Sequence, residues 1–144
     1  MAITAYFHDG HAEKVQEEQP VGNKVYYMPH HAVVRRDVVT TKLQVVFDAS
    51  SHEADRPGLN DVQSKGIKLL VNVAQLLLNF RCHTVVLAAD IKKAYLQLWI
   101  WPEDRDLLRS LWLERRPTKE EPMPPITTWR LTKVTFEAAS SPFL

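Results

Sequence analysis

An apolar run that ends in a carboxylate constrains the fold of this chain more than any other feature of its sequence. Residues 84–89 (TVVLAA) form the run, and Asp90 follows them directly. A short run of this kind is typical of a strand that is buried on both faces. Because a carboxylate at the end of a buried strand is costly unless it is paired or bound to metal, Asp90 is either a turn-capping residue or part of a functional site.

The residues after Asp90 favour a functional site. Lys92 and Lys93 follow it, and cationic side chains beside a metal-binding carboxylate suit the binding of a triphosphate. Tyr95 lies five residues after Asp90, where its ring could stack on a sugar or a base. Each of these residues also has an ordinary structural interpretation, the lysines as a solvated turn and the tyrosine as a core aromatic residue.

Other segments predict a mixture of helices and strands. Apolar residues recur at three- and four-residue steps across residues 67–80, which predicts an amphipathic helix. Leu43–Phe47 is rich in β-branched and aromatic residues and predicts a strand, whereas residues 26–34 predict extended chain that Pro29 interrupts. Further predictions are β structure at residues 96–101, a short helix opened by Pro102, a helix or strand at residues 108–113, and a pair of strands within residues 126–136.

The length of 144 residues suits one domain with a real core. Residues 1–23 are polar and weakly patterned, so we expect a loosely ordered N-terminal arm followed by a single domain over residues 24–144. Residues 140–142 (SSP) suggest the opening of a helix shortly before the last residue. We therefore expect the chain to be a fragment of a longer protein.

Net charge and hydropathy exclude few classes of partner. With 18 basic and 17 acidic residues the net charge is +1, which does not by itself indicate a nucleic-acid-binding protein and does not exclude one. No apolar run reaches about 18 residues, and the N-terminus lacks the basic and apolar regions of a signal peptide. The expectation is an intracellular protein without a membrane span, in the cytoplasm or the nucleus.

Cysteine and histidine usage predicts neither a disulfide nor a metal site. Cys82 is the one cysteine, and its apolar surroundings predict a buried, inert thiol. His30 and His31 are adjacent, so in a strand their side chains would point to opposite faces and would ligate one ion poorly.

Five strings in this sequence carry a resemblance to a known family. Residues 87–97, which surround Asp90, look like the first catalytic motif of reverse transcriptases. Four further strings match in the same order and at plausible spacing. They are residues 26–31 (YYMPHH), 41–50 (TKLQVVFDAS), 102–106 (PEDRD) with Leu111 and Trp112, and 141–144 (SPFL). Residues 24–144 together resemble the fingers and early palm of the reverse transcriptase domain in a BEL/Pao-type retrotransposon polyprotein.

The resemblance implies a fold and an activity. The fold would be α+β, a partial right-hand polymerase with fingers strands and the start of the palm sheet, truncated before the second catalytic motif. The parent activity would be RNA-directed DNA polymerisation with Mg²⁺ as cofactor. Its partners would be an RNA or DNA template–primer, a deoxynucleoside triphosphate, and the remaining palm and thumb of the polyprotein.

The resemblance also implies roles for individual residues. Asp90 would ligate both magnesium ions, with the backbone carbonyl of Ile91 as a further ligand, and the two ions would clamp the attacking hydroxyl and the leaving pyrophosphate. Tyr95 would lie under the sugar and exclude a 2′-hydroxyl. Lys42 would contact the triphosphate from the fingers. Asp48 matches a fingers aspartate for which we expect a structural hydrogen-bonding role at the end of a strand.

Departures from the family pattern are concentrated around the nucleotide. Gln44 stands where the family usually has a triphosphate-binding arginine, and glutamine supplies neither the charge nor the planar fork. Glu137 stands where the family usually has glycine, and Trp99 and Trp101 replace smaller residues. The Tyr-x-Asp-Asp box that would supply the remaining carboxylates does not occur in these 144 residues.

Three hypotheses about function follow. The first is a polymerase fragment without activity of its own, since one carboxylate and one carbonyl bind a hard cation weakly. The second is a non-catalytic remnant that binds nucleic acid or a protein partner. The third is the product of a decayed element with no selected role.

Overall fold

The computed structural model describes residues 6–16, 24–34, 43–67, 71–136 and 138–141. These residues form mixed α and β structure with small antiparallel sheets, as the sequence predicts at this coarse level. The strands are β1 (Ala12–Lys14), β2 (His30–Val34), β3 (Leu43–Phe47), β4 (Arg109–Leu113) and β5 (Ile126–Leu131). The helices are α1 (Leu59–Val62) and α2 (Val73–Arg81), with 3₁₀ turns at Ala94–Gln97 and Arg105–Leu108.

A three-stranded antiparallel sheet in the order β1-β5-β4 organises the described residues. Glu13 of β1 lies opposite Arg130 of β5, and Arg130 lies opposite Arg109 of β4. Residues 26–28 run parallel to the start of β4 and pair with its outer edge at Arg109. The Arg109 amide donates to the Tyr26 carbonyl at 3.1 Å. The segment at residues 108–113, which periodicity alone left open, is therefore a strand from Arg109 onward.

The hairpin of β2 and β3 confirms the predicted strand Leu43–Phe47 and the extended chain before it. Its register places His30 opposite Phe47 and Val34 opposite Leu43. Lys42 belongs to residues 35–42, which connect the two strands and lie outside the described residues. The hairpin docks on the sheet through His30, whose ring stacks on Trp112 at 3.7 Å and whose Nδ1 lies 2.9 Å from Ser110 Oγ.

The core lies where the base of the hairpin meets the three-stranded sheet. Its fully buried members are Ala12, Met28, Phe47, Ala49, Leu59, Leu108 and Leu131. Residues 6–16 take part in this core, although the sequence suggested a loosely ordered arm. Tyr6 and Phe7 lie in a short helical turn and pack against the core, and β1 pairs with β5. Burial raises the pKa of Tyr6 to about 12.

A buried ionic network covers the other face of the sheet. Asp106 is completely buried, and its Oδ1 accepts hydrogen bonds at 3.0 Å from both Arg109 Nε and Arg130 Nη1. Glu13 Oε1 accepts from Arg130 Nε at 2.6 Å and from Arg105 Nη1 at 3.3 Å. The directly opposed positions of Glu13, Arg130 and Arg109 explain the network, because cross-strand neighbours on one face are within side-chain reach.

Two sequence predictions for the middle of the chain are wrong. Residues 84–89 form no strand, and the segment is exposed, with Leu87 at 89%. The predicted helix at residues 67–80 is confirmed in part: helix α2 begins at Val73 and ends at Arg81, and it has no buried residue, while residues 68–70 lie outside the described residues. Periodicity identifies an apolar face but not the element that covers it, and no described element buries these side chains. Cys82 is likewise exposed, not buried.

The predictions for residues 96–136 are confirmed in part. The expected strand at residues 96–101 is reduced to one bridge between Trp99 and Lys133, because the chain forms a 3₁₀ turn at Ala94–Gln97. The helix predicted after Pro102 is a turn followed by the 3₁₀ turn at Arg105–Leu108. Within residues 126–136 only β5 is a regular strand.

Among the described residues, no helix combines the length and the apolar character that crossing a membrane requires.

Removing the charge of Asp106 should destabilise the fold strongly. Asp106→Asn leaves Arg109 and Arg130 without their shared carboxylate, and breaking a buried ion pair from one side costs about 3–5 kcal/mol. Urea denaturation followed by circular dichroism measures this change in the free energy of unfolding. Glu53→Gln is the control, because the Glu53–Arg56 pair is exposed and its loss should cost less than about 0.5 kcal/mol. Equal stability of the two variants would contradict the role given to Asp106.

Stability should fall as the pH drops below the ordinary histidine pKa. Burial, with a smaller contribution from His31, lowers the pKa of His30 below 6.5; burial and Lys93 lower the pKa of His11. The unfolded chain then binds more protons than the folded chain, so this stability is complete above pH 6.5 and declines below it.

Denaturation curves at several pH values between about 7 and 5 test this expectation. His30→Asn, which keeps a polar partner for Ser110 but cannot be protonated, should flatten the decline. His52→Asn is the control, since His52 is exposed and its ring contacts only the Ser50 carbonyl among the contacts of the described residues. An unchanged slope in His30→Asn would refute the assignment.

Candidate functional site

Asp90 lies on the surface, in an irregular segment that leads into the 3₁₀ turn at Ala94–Gln97. Lys93 directly precedes this turn and leads the chain into it by adopting a left-handed backbone conformation with φ of 54°. Its carbonyl then accepts from the Leu96 amide at 2.9 Å, and the Lys92 carbonyl accepts from Gln97 Nε2 at 3.3 Å. The Asp90 carboxylate forms no hydrogen bond or ion pair within the part of the chain that the structure describes, so it faces solvent.

The two lysines after Asp90 differ in their surroundings. Lys93 Nζ lies 3.6 Å from Asp9 Oδ2, and the same oxygen lies 3.8 Å from His11 Nε2. Lys93 is therefore directed towards the N-terminal segment. Lys92 is exposed, and its ammonium group forms no ion pair among the described residues. Of the two, Lys92 is the side chain available to an anionic ligand.

Tyr95 is half-buried, and its ring packs edge-on against Phe136 with 4.6 Å between centroids. The neighbouring Leu96 is buried and anchors this turn to the body of the protein. Tyr95 is therefore compatible with both interpretations, a core aromatic residue and a ring that stacks on a ligand, because one part of the ring packs on Phe136 and another part remains accessible. Phe136 itself is exposed, and Glu137 lies outside the described residues.

Gln44 lies in β3, where it is half-buried opposite Val33 of β2. Within the described residues, no hydrogen bond, ion pair or ring contact joins Gln44 to residues 90–95. Lys92 and Tyr95 thus lie near Asp90 along the chain, and among the described residues the hairpin of β2 and β3 adds no such contact to them. Lys42, the other residue expected from the fingers, is outside the described residues.

Asp48 has the structural role that was expected for it. Its Oδ1 accepts the amides of Ser50 at 2.9 Å and Ser51 at 3.0 Å, which forms a turn at the end of β3. Gly58 packs closely against this turn: a Cβ there would lie 2.9 Å from the Ser50 carbonyl oxygen. Hydrogen bonds within the chain and this close approach of Gly58 therefore shape the loop after β3.

The described residues do not form a site for the Mg²⁺ that the resemblance implies. No three histidine, cysteine, aspartate or glutamate side chains converge among them. Asp90 and the Ile91 carbonyl are two oxygen donors, whereas Mg²⁺ requires octahedral coordination and would be held weakly by such a pair.

A cleft that the sequence analysis missed lies between the N-terminal turn, the hairpin and β4. It has a volume of about 820 Å³. Phe7 stacks on Trp129 at 3.7 Å, as His30 does on Trp112. The register of β4 and β5 places Trp112 and Trp129 diagonally on one face. Strand alternation could have predicted that the two tryptophans share a face of the sheet. It could not have predicted that Phe7 and His30, from other segments, stack on them.

A second cleft, of about 400 Å³, lies beside the bridge between Trp99 and Lys133. Trp99, Trp101, Lys24 and Asp104 are among its lining residues. Trp101 is 74% exposed and Trp99 is 66% exposed, and Lys133 Nζ lies 3.4 Å from the centroid of the Trp99 ring. Accessible aromatic rings next to cationic groups are the features that bind bases and phosphates of single strands.

Comparison with known proteins adds no further identification: no protein-family model matches the sequence, and no curated protein matches it.

Proposed function

We propose that this chain is part of the reverse transcriptase of a BEL/Pao-type retrotransposon, contributes the catalytic carboxylate Asp90, and has no polymerase activity by itself. The observation that carries the proposal is the ordered set of five motif-like strings across residues 24–144, with Asp90 inside the one that resembles the first catalytic motif. A single string of this length is weak support, whereas five in order at plausible spacing are much more specific.

The surroundings of Asp90 are compatible with such a role. Its carboxylate and the Lys92 ammonium are both accessible to a ligand, and Tyr95 is held nearby by Phe136. A template–primer, a nucleoside triphosphate and the remaining palm and thumb would be the partners. Two features of the sequence support the lack of polymerase activity. Gln44 lacks the charge of an arginine, and no Tyr-x-Asp-Asp box occurs in the sequence.

Primer extension on the purified 144-residue chain should give no templated incorporation with Mg²⁺ or Mn²⁺. Two-metal phosphoryl transfer needs several carboxylates around the ions, and the described residues form no group of three or more side chains that could hold an ion. The matched control is Asp90→Asn, which should be indistinguishable from the unmodified chain. Templated incorporation that Asp90→Asn abolishes would overturn the claim that the chain is inactive and would support its assignment as a polymerase.

A second candidate is a non-catalytic protein that binds single-stranded nucleic acid. The exposed rings of Trp99 and Trp101 beside Lys133 favour it, because stacking and phosphate neutralisation act together on such surfaces. This function requires neither a metal ion nor the missing carboxylates.

Fluorescence anisotropy with labelled oligothymidine tests this second candidate. Binding should be measurable at about 50 mM salt and much weaker at about 200 mM, as expected when cations neutralise phosphates. Trp101→Ala should weaken binding about tenfold through the loss of one stacking partner. Met123→Ala is the control, because Met123 is also exposed but lies away from this cleft. Binding that is insensitive to both salt and Trp101→Ala would exclude the surface as a nucleic-acid site.

A further inference from the structure

Among the described residues, no strand pairs with the outer edge of β4 beyond the point where residues 26–28 leave it. Arg109 bonds to this segment through both its amide and its carbonyl, which accepts from the Met28 amide at 2.8 Å. The backbone amides and carbonyls of successive residues in a strand point to alternate sides. The amides and carbonyls of Leu111 and Leu113 therefore point to the same side as those of Arg109, towards the outer edge of the sheet. The Glu114 amide confirms this alternation by donating to the Pro125 carbonyl on the opposite side.

The chain that precedes β2 cannot continue this pairing. Continued parallel pairing would need the Leu111 amide to donate to the Met28 carbonyl and the His30 amide to donate to the Leu111 carbonyl, but from Pro29 onward the chain turns to β3, where His30 pairs with Phe47. The Pro29 carbonyl instead accepts from the Asp48 amide at 2.8 Å. Among the described residues, the amides and carbonyls of Leu111 and Leu113 therefore have no strand opposite them on this side.

Apolar side chains flank the open edge on both faces. Leu111 and Leu113 are exposed on one face. On the other face Trp112 lines the cleft of about 820 Å³. An added strand would direct alternate side chains to these two faces, so each face offers apolar contact to a strand in this position.

The charge along this edge favours an acidic occupant. Arg115 and Arg116 come after Glu114 just beyond the end of β4, and both line the cleft together with Lys14. Glu114 is already engaged, since its Oε1 accepts from Thr127 Oγ1 at 2.7 Å and lies 3.4 Å from Lys14 Nζ. Arg115 contacts Glu121 only through an exposed pair at 3.5 Å, and Arg116 has no ion pair within the described residues.

We propose that the open edge of β4 at Leu111 and Leu113 binds an extended acidic peptide segment of another protein as an additional strand. Backbone hydrogen bonds would supply affinity, and the cleft and the arginines would select side chains. A second copy of this chain fits less well, because the β4 edge that it would offer, Arg109–Leu113, has no acidic side chain to pair with the arginines. The proposal depends on β4 and is independent of Asp90.

A fluorescein-labelled peptide tests this proposal by anisotropy. The probe is an acetylated peptide with the sequence Asp-Asp-Leu-Val-Leu-Val-Leu-Asp-Asp, which has acidic ends in either strand direction. We expect saturable binding. A version that is N-methylated at alternate amides should bind at least about tenfold more weakly, because it keeps the side chains but loses edge hydrogen bonds. A version with lysine in place of aspartate should also lose binding.

Two changes in the protein separate backbone pairing from charge. Leu113→Pro removes an outward-facing amide hydrogen, which edge strands tolerate, together with the leucine side chain, and should weaken binding about tenfold. The double variant Arg115→Glu and Arg116→Glu should weaken binding by a similar factor and reduce its salt dependence. Arg56→Glu, an exposed charge reversal in the loop at residues 48–58, is the control and should change nothing. If Leu113→Pro proves unfolded by circular dichroism, the N-methylated peptide provides the same test without a mutation.

Four results would overturn the proposal. The first is the absence of saturable binding up to about 1 mM peptide, because a dissociation constant above that concentration corresponds to negligible affinity. The second is equal binding of the N-methylated peptide. The third is displacement of the peptide by oligothymidine, which would assign the edge to nucleic acid. The fourth is a dimer in sedimentation that Leu113→Pro converts to monomer, which would assign the edge to a second copy.

Discussion

A carboxylate shared between two arginines determines how the described part of this protein is assembled. Asp106 lies in the 3₁₀ turn before β4, whereas Arg109 and Arg130 come from neighbouring strands, and all three meet at 3.0 Å. A buried charge without compensation is very unfavourable, so the turn, β4 and β5 have little freedom to move independently. Glu13 extends the constraint to β1 through Arg130. One set of charges thereby fixes the register of the whole three-stranded sheet.

The charged face leaves the opposite face for apolar packing. Ala12 and Leu131 lie opposite each other there, and the base of the hairpin covers them with Phe47. His30 adds a further contact between the hairpin and the sheet by stacking on Trp112. The aromatic cleft lies beside β4, where the ring of His30 stacks on Trp112 and the ring of Phe7 stacks on Trp129. The cleft and the open edge of β4 thus follow from the way the core is built.

The two proposed activities use different parts of this architecture. Residues 71–94, which include Asp90, are exposed throughout and lie apart from the buried core. A polymerase role for Asp90 would therefore need further protein to supply carboxylates and to cover the apolar side chains of this segment. Peptide binding at β4 needs nothing beyond the described sheet. Loss of the Asp106 network should therefore impair peptide binding, whereas Asp90→Asn should leave it intact.

The sequence by itself determined the features that depend on near neighbours. The β-branched and aromatic residues of Leu43–Phe47 predicted a strand, and an aspartate directly after a strand often bonds to the backbone amides of the next few residues, so the turn at Asp48 could be expected. Tertiary structure alone decided whether residues 84–89 are buried and gave Asp106 its two arginines, one of which is 24 positions away. The physical reason is that burial and ion pairing depend on which distant segments meet, and a local pattern shows only that a residue has an apolar or charged side chain to offer.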